Sequence, residues 1–138
     1  MEKDLQPQLA ASLQYIYRIS IIVIAVTWLY HGIVPKILFM KTGELPMMEA
    51  MGWFKGFAPA AVYTIGIGEI LFGLAFLFFG RVKLLHYLNI FGLLALGMGA
   101  AIAQPTVYTM PFNPATTSFG VIGLSMIVLR IMKYLPLK

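Results

Sequence analysis

Apolar residues run along this chain in four blocks, and the polar residues fall almost wholly between them. About 20 consecutive apolar residues suffice to carry an α-helix across the hydrocarbon core of a bilayer. The blocks lie at approximately 15–34, 59–79, 84–103 and 115–135. They predict an all-α membrane protein, a four-transmembrane-helix bundle forming a single transmembrane domain over residues 1–138. The links are a long one from Lys36 to Ala58, a tight one at Gly80 to Lys83, and a Pro-rich one from Gln104 to Pro114. Within the long link, Pro46 is placed to open a short interfacial helix between helices 1 and 2, over approximately 44–55. Met47, Met51 and Phe54 would share its buried face, with Glu49 directed away. An irregular interfacial loop is the alternative.

Helical spacing then orients the spans. Val62, Gly66, Glu69, Gly73, Phe76 and Gly80 align on one narrow seam of the second. Lipid tails are as apolar as leucine, so helices in a bilayer associate through small residues that let backbones approach and through polar contacts. The seam is therefore expected to face protein. The same spacing aligns Asn89, Gly92, Leu96, Gly99 and Ala103 in the third span and Thr116, Gly120, Gly123, Ile127 and Arg130 in the fourth. The first span offers Ser20, Ile24, Thr27 and His31.

Composition sharpens the class. Of the 138 residues, 60% are hydrophobic and only 11% charged, with mean hydropathy +0.86, too few charges to cover a water-soluble surface. The net charge of +5 comes from Lys and Arg residues that flank apolar segments without forming a run, so it reads as a topology signal and no nucleic acid is expected. The side bearing the termini holds Lys3, Arg18, Arg81, Lys83, Arg130, Lys133 and Lys138; the other side holds Lys36, Lys41 and Lys55. Seven against three predicts both termini in the cytoplasm. Tyr15, Tyr17, Tyr87 and Tyr134 would mark the inner boundary, and Tyr30, Trp53, Tyr63 and Tyr108 the outer one. There is no cysteine, which removes thiolate nucleophiles and Cys-ligated clusters.

Glu69 is the most informative residue. It lies about ten residues from either end of its span, and an ionised carboxylate near the bilayer centre costs about 2.5–3.5 kcal/mol on insertion scales. It is expected to be protonated, paired or facing a wet cavity. His31 is its expected partner, because Pro35 clashes with the carbonyl of the residue four positions earlier, so a kink with a freed acceptor is expected at His31. The two could relay protons or clamp a polar head group. Alternatively each bonds a neighbouring backbone for stability alone. Tyr30 stands beside His31, and Lys36 is expected to snorkel to the outer interface and meet a lipid phosphate or anionic ligand. Gly66-Ile67-Gly68-Glu69 has the wrong spacing for a dinucleotide loop, and His31 and His86 sit in opposite halves of the bundle, so no nucleotide, haem or metal site is expected.

The stretch Trp28 to Lys36 with its His-Gly-x-x-Pro-Lys core, the Gly43-Glu44-Leu45 that follows, the second span with its Gly66-Ile67-Gly68-Glu69, and Pro111-Phe112-Asn113-Pro114 together resemble the DoxX-like membrane proteins. That family takes its name from a subunit of a thiosulfate:quinone oxidoreductase. The resemblance implies a four-helix fold, a quinone connection, and His31, Pro35, Lys36, Glu44 and Glu69 as the characteristic polar set.

Two readings stand in front of the structure. In one, the chain is a membrane subunit of a quinone-linked oxidoreductase in the bacterial inner membrane, with His31 and Glu69 as candidate catalytic groups and Tyr30, Lys36, His31 and Glu69 lining the ligand site. In the other it is a non-catalytic scaffold, assembly factor or lipid-binding module stapled by His31 and Glu69. Membrane lipid, quinone, and a protein subunit or second copy are the partners these readings imply. A small transporter is a weaker third, since no inverted repeat is visible.

Overall fold

The computed structural model describes residues 2–42, 44–52 and 54–135, with side chains from Gln6 onward. Gly43, Trp53, Lys138 and the Lys3 side chain, which enter the sequence reading, lie outside the described residues. Helix α1 runs Glu2–Ile33 and continues through one π-helical turn, Val34–Leu38. The interfacial helix α2 is Glu44–Met51, α3 is Ala58–Phe79, α4 is Lys83–Ala103, a 3-10 turn covers Pro105–Thr109, and α5 is Pro114–Ile131. Four of these elements are long and apolar enough to cross a membrane. The protein is an all-α membrane bundle, as its apolar pattern predicts.

α1 is the organising element. It packs along α3 on one side and α5 on the other, α4 lies chiefly against α5, and α2 caps the N-terminal end of α3. With its π turn, α1 would reach roughly 55 Å at 1.5 Å per residue, well beyond a hydrocarbon core of about 30 Å. It starts at Glu2 rather than Tyr15 because Leu, Gln and Ala before Tyr15 are good helix formers that need no lipid. Gln6 to Ser12 are exposed.

Glycines set the α1–α3 contact. A methyl on Gly66 would lie 2.9 Å from Lys36 Cβ, and one on Gly73 2.9 Å from the Ala25 carbonyl oxygen. The predicted α3 seam is the buried face: Val62, Gly66, Glu69, Gly73 and Phe76 all turn inward, with Gly80 at its foot. Behind them an edge-to-face series of rings runs from Trp28 to Phe72 (4.9 Å) to Phe76 (5.2 Å) to His86 (5.2 Å), a geometry favoured by the aromatic quadrupole.

Several expectations need correction. In α5 the buried side chains are Val121, Ser125, Val128 and Ile131, whereas Thr116, Gly120, Ile127 and Arg130 are exposed. In α4, His86, Asn89 and Ala100 are buried and Leu96 is exposed, so only Asn89 of the expected seam is fully enclosed. A methyl on Gly92, Gly99, Gly120 or Gly123 would meet nothing within 4 Å, so these glycines mediate no close approach within the chain. In α2 it is Met48, flanked by Leu45 and Met51, that packs on Ala58 and Val62. Gly52, at φ 67°, ends that helix, and Phe54 therefore falls outside it and is exposed. Glu49 points outward as expected.

Pro35 does not break the helix. The backbone widens instead to a π turn closed by the Phe39 N–H on the Val34 carbonyl at 2.9 Å. Such single π turns accommodate residues that interrupt the regular ladder. At the far end of the chain Asn113 caps α5, accepting from the backbone N–H groups of Ala115 and Thr116, with Pro114 in the first turn. The Tyr108 hydroxyl donates to the Gly97 carbonyl and ties the preceding 3-10 turn to α4.

Candidate functional site

The close approach of α1 and α3 decides where Lys36 goes. Its Cβ sits over Gly66, and Cα–Cβ bonds in a helix tilt toward the N-terminus. For a residue at the C-terminal end of α1 that direction is back into the bundle, along α3, toward Glu69. Lys36 Nζ lies 3.0 Å from Glu69 Oε2 and 3.1 Å from Glu44 Oε1. The side chains of Lys36 and Glu69 are only 7% and 8% exposed, and that of Glu44 24%. The expected snorkelling of Lys36 is thus replaced by a buried triad, in which one ammonium joins α1, α2 and α3.

The two ion contacts differ. Lys36 donates a hydrogen bond to Glu44 Oε1. With Glu69 Oε2 it makes an ion pair at 3.0 Å.

The cation that meets Glu69 is Lys36 rather than His31. His31 is half-buried one turn further in, within the electrostatic field of Lys36 and Glu44. No hydrogen bond or ion pair joins it to Glu69 among the described residues. Tyr30 is 58% exposed on the lipid side, its ring edge-on to His31 at 6.0 Å. Of the polar set implied by the family resemblance, Lys36, Glu44 and Glu69 therefore come together around the π turn that holds Pro35, with His31 at the edge.

A cleft of about 290 Å³ lies between the end of α2 and the start of α3, lined by Met48, Glu49, Phe54, Lys55, Ala58 and Pro59 among others and by none of the triad residues. Its Met48 wall belongs to α2, the helix whose first residue, Glu44, holds Lys36.

A second polar cluster, between α1, α4 and α5, was not legible as a unit. The Trp28 indole N–H donates to Asn89 Oδ1 at 2.6 Å, and Asn89 Nδ2 donates to Ser125 Oγ at 2.8 Å. His86, 0% exposed, contacts Ser125 Oγ through Nδ1 at 3.2 Å and the Gly80 carbonyl through Nε2 at 2.9 Å. One assignment satisfies every group: a neutral imidazole whose Nε2–H donates to Gly80 while Nδ1 accepts from the Ser125 hydroxyl. The signal for this cluster was present, since His86 and Asn89 are three residues apart on one helix face and Ser125 is a polar residue inside an apolar span.

The model of the DoxX-like family matches residues 25–126. That range holds Lys36, Glu44, Glu69 and the whole His86 cluster. No curated protein and no solved structure matches the chain. The family match spans most of the sequence, from the middle of α1 into α5, and the chain belongs to the DoxX-like family.

Proposed function

We propose that this protein is the membrane component of a quinone-linked oxidoreductase in the bacterial cytoplasmic membrane. In this reading both termini are cytoplasmic, and the Lys36–Glu69–Glu44 triad, with His31 at its edge, is the site for the quinone head group. The observation that carries it is the triad itself. Ion pairs taken out of water are often less stable than apolar residues of the same volume, and ionisable side chains inside a membrane mark functional sites by default. The site also has a lid, since α2 covers it and contributes Glu44 to its latch.

Quinone reduction consumes two electrons and two protons. Glu69 and Glu44 are carboxylates placed to hold and pass the protons, and His31 is a third titratable group near them. The electrons come from a partner subunit in this reading. Lys36 fixes the orientation of the two carboxylates and keeps a donor at the site.

Purified protein in lipid nanodiscs tests this directly. Wild type is expected to bind a short-tail benzoquinone, and Glu69→Gln or His31→Ala to lose that binding while remaining folded. A wild type that neither retains nor binds the quinone sinks the reading.

A second reading draws on a different observation: the two ion contacts of Lys36 clamp three elements together. In that reading the triad is a structural staple of a scaffold or assembly factor. Glu69→Gln then lowers the melting temperature and leaves any ligand binding unchanged.

A further inference from the structure

The cleft between α2 and α3 is lined by two opposite charges that do not neutralise each other. Glu49 stands in the last turn of α2 and Lys55 three residues before α3, and both side chains line the cleft. Both are exposed, and among the described residues neither side chain makes an ion pair or a hydrogen bond. The Lys55 stem lies against Gly52, where an added methyl would be 3.7 Å from its Cε. Met48, Phe54 and Ala58 add apolar lining.

The place of the cleft says what reaches it. Ala58 opens the apolar span Ala58–Phe79, so the cleft lies at the membrane boundary from which α3 enters the bilayer, at the level of the lipid head groups. Phe57, directly ahead of α3, is 73% exposed, as suits an aromatic ring at that boundary. At about 290 Å³ the cleft falls at the small end of ligand pockets, which span about 300–1,000 Å³. That room suits a head group.

Head groups differ in how they meet the two charges. A purely anionic one pairs with Lys55 and meets Glu49 as a like charge. A choline satisfies both signs, but its quaternary ammonium has no N–H for a carboxylate and is usually held by several aromatic faces. This lining offers one aromatic ring, Phe54. A primary ammonium can donate to Glu49 while the phosphate accepts from Lys55, and such charge-assisted hydrogen bonds are the stronger kind. The N-terminus of α3 at Ala58 has no side-chain cap, and the helix dipole there adds to the attraction for phosphate.

We propose that this cleft binds a phospholipid head group bearing both a phosphate and a primary ammonium, the chemistry of phosphatidylethanolamine, with Lys55 on the phosphate and Glu49 on the ammonium. No residue of the triad lines it, and the proposal stands apart from the quinone reading.

The test titrates the full chain in detergent with three phospholipids of identical acyl chains and ethanolamine, choline or glycerol head groups, and counts bound lipid by native mass spectrometry. The ethanolamine lipid is expected to bind about three- to fivefold more tightly than either of the others, the scale of one ion contact at a solvated surface. Glu49→Gln is expected to bring the ethanolamine and choline lipids level, and Lys55→Gln to weaken both alike. Should either variant fail to fold, the ranking of the three lipids on wild type decides alone. Tightest binding of the glycerol lipid overturns the proposal and makes Lys55 a simple anchor for anionic lipid. Equal binding of all three, or a folded Glu49→Gln protein that keeps the ethanolamine preference, overturns it as well. Soluble phosphoethanolamine that binds as tightly as the lipid overturns the membrane source and assigns the cleft to a free zwitterion.

Discussion

Gly32 and Gly66 meet backbone against backbone: a methyl on Gly32 would lie 2.6 Å from the Gly66 carbonyl oxygen and 3.0 Å from the Ile70 amide nitrogen. Neither obstacle is a flexible side-chain tip, so the helices themselves have to move. Gly32→Ala is expected to destabilise by about 1–3 kcal/mol, the usual range for overpacking. Gly92→Ala and Gly120→Ala, where a methyl meets open space, are expected to stay within about 0.5 kcal/mol. Thermal unfolding in detergent separates the two classes. Equal melting of Gly32→Ala and wild type would mean that α1 and α3 do not cross here.

That crossing also sets the height at which Lys36 meets Glu69, so the charge pair can be tested for coupling. Glu69→Leu strips Lys36 of its more buried partner, and Lys36→Met leaves Glu69 buried without a cation. Breaking one side of a buried pair costs about 3–5 kcal/mol, whereas replacing both sides with apolar residues costs far less. The double variant Lys36→Met/Glu69→Leu is expected to be more stable than the sum of the singles by at least about 1 kcal/mol. Additive losses in a double-mutant cycle would show that the two side chains do not interact.

The inner network makes its own prediction. Ser125 accepts from Asn89 and faces His86 Nδ1, so Ser125→Ala leaves His86 Nδ1 without its partner and Asn89 Nδ2 with only its longer bond to the Val121 carbonyl at 3.5 Å. A loss of about 1–3 kcal/mol is expected. Asn89→Leu additionally strips the Trp28 indole N–H of its acceptor. In a Trp53→Phe background Trp28 is the sole tryptophan, and its emission is expected to shift to shorter wavelength in Asn89→Leu. Unchanged emission would place the indole N–H elsewhere.

How much of this could be read from the chain differs by helix. The seam of α3 was legible because α3 lies along one central partner, and Gly66, Gly73 and Glu69 all turn toward it. α4 and α5 misled. In a bilayer the outer surface of a helix is as apolar as its core, so hydrophobic periodicity does not mark the buried face. Their glycines look like contact residues, yet Gly99 and Gly120 stand in open space, and the buried faces follow His86, Asn89 and Ser125 instead. Lys36 was misplaced for a geometric reason. Its distance from the outer interface suggests snorkelling, but the lean of its Cβ toward the α1 N-terminus carries the ammonium inward. Glu44 was visible only as part of the family's polar set, since nothing local to it says that α2 packs back onto α3 and the π turn.

Orientation across the membrane remains a matter of charge counting, and the protein is well suited to a direct measurement. It contains no cysteine, so each introduced one is a unique reporter. Ser12 is exposed on the stretch of α1 that precedes its apolar span, where its hydroxyl bonds only the Gln8 carbonyl one turn back. Lys55 is exposed in the turn before α3, at the opposite end of the bundle. With seven basic residues on the terminal side against three on the other, the positive-inside rule puts Ser12 in the cytoplasm and Lys55 outside. In intact cells a membrane-impermeant maleimide is expected to label Lys55→Cys and to reach Ser12→Cys only after lysis. The reverse pattern would invert the bundle. The triad would then lie in the half of the bilayer nearer the cytoplasm.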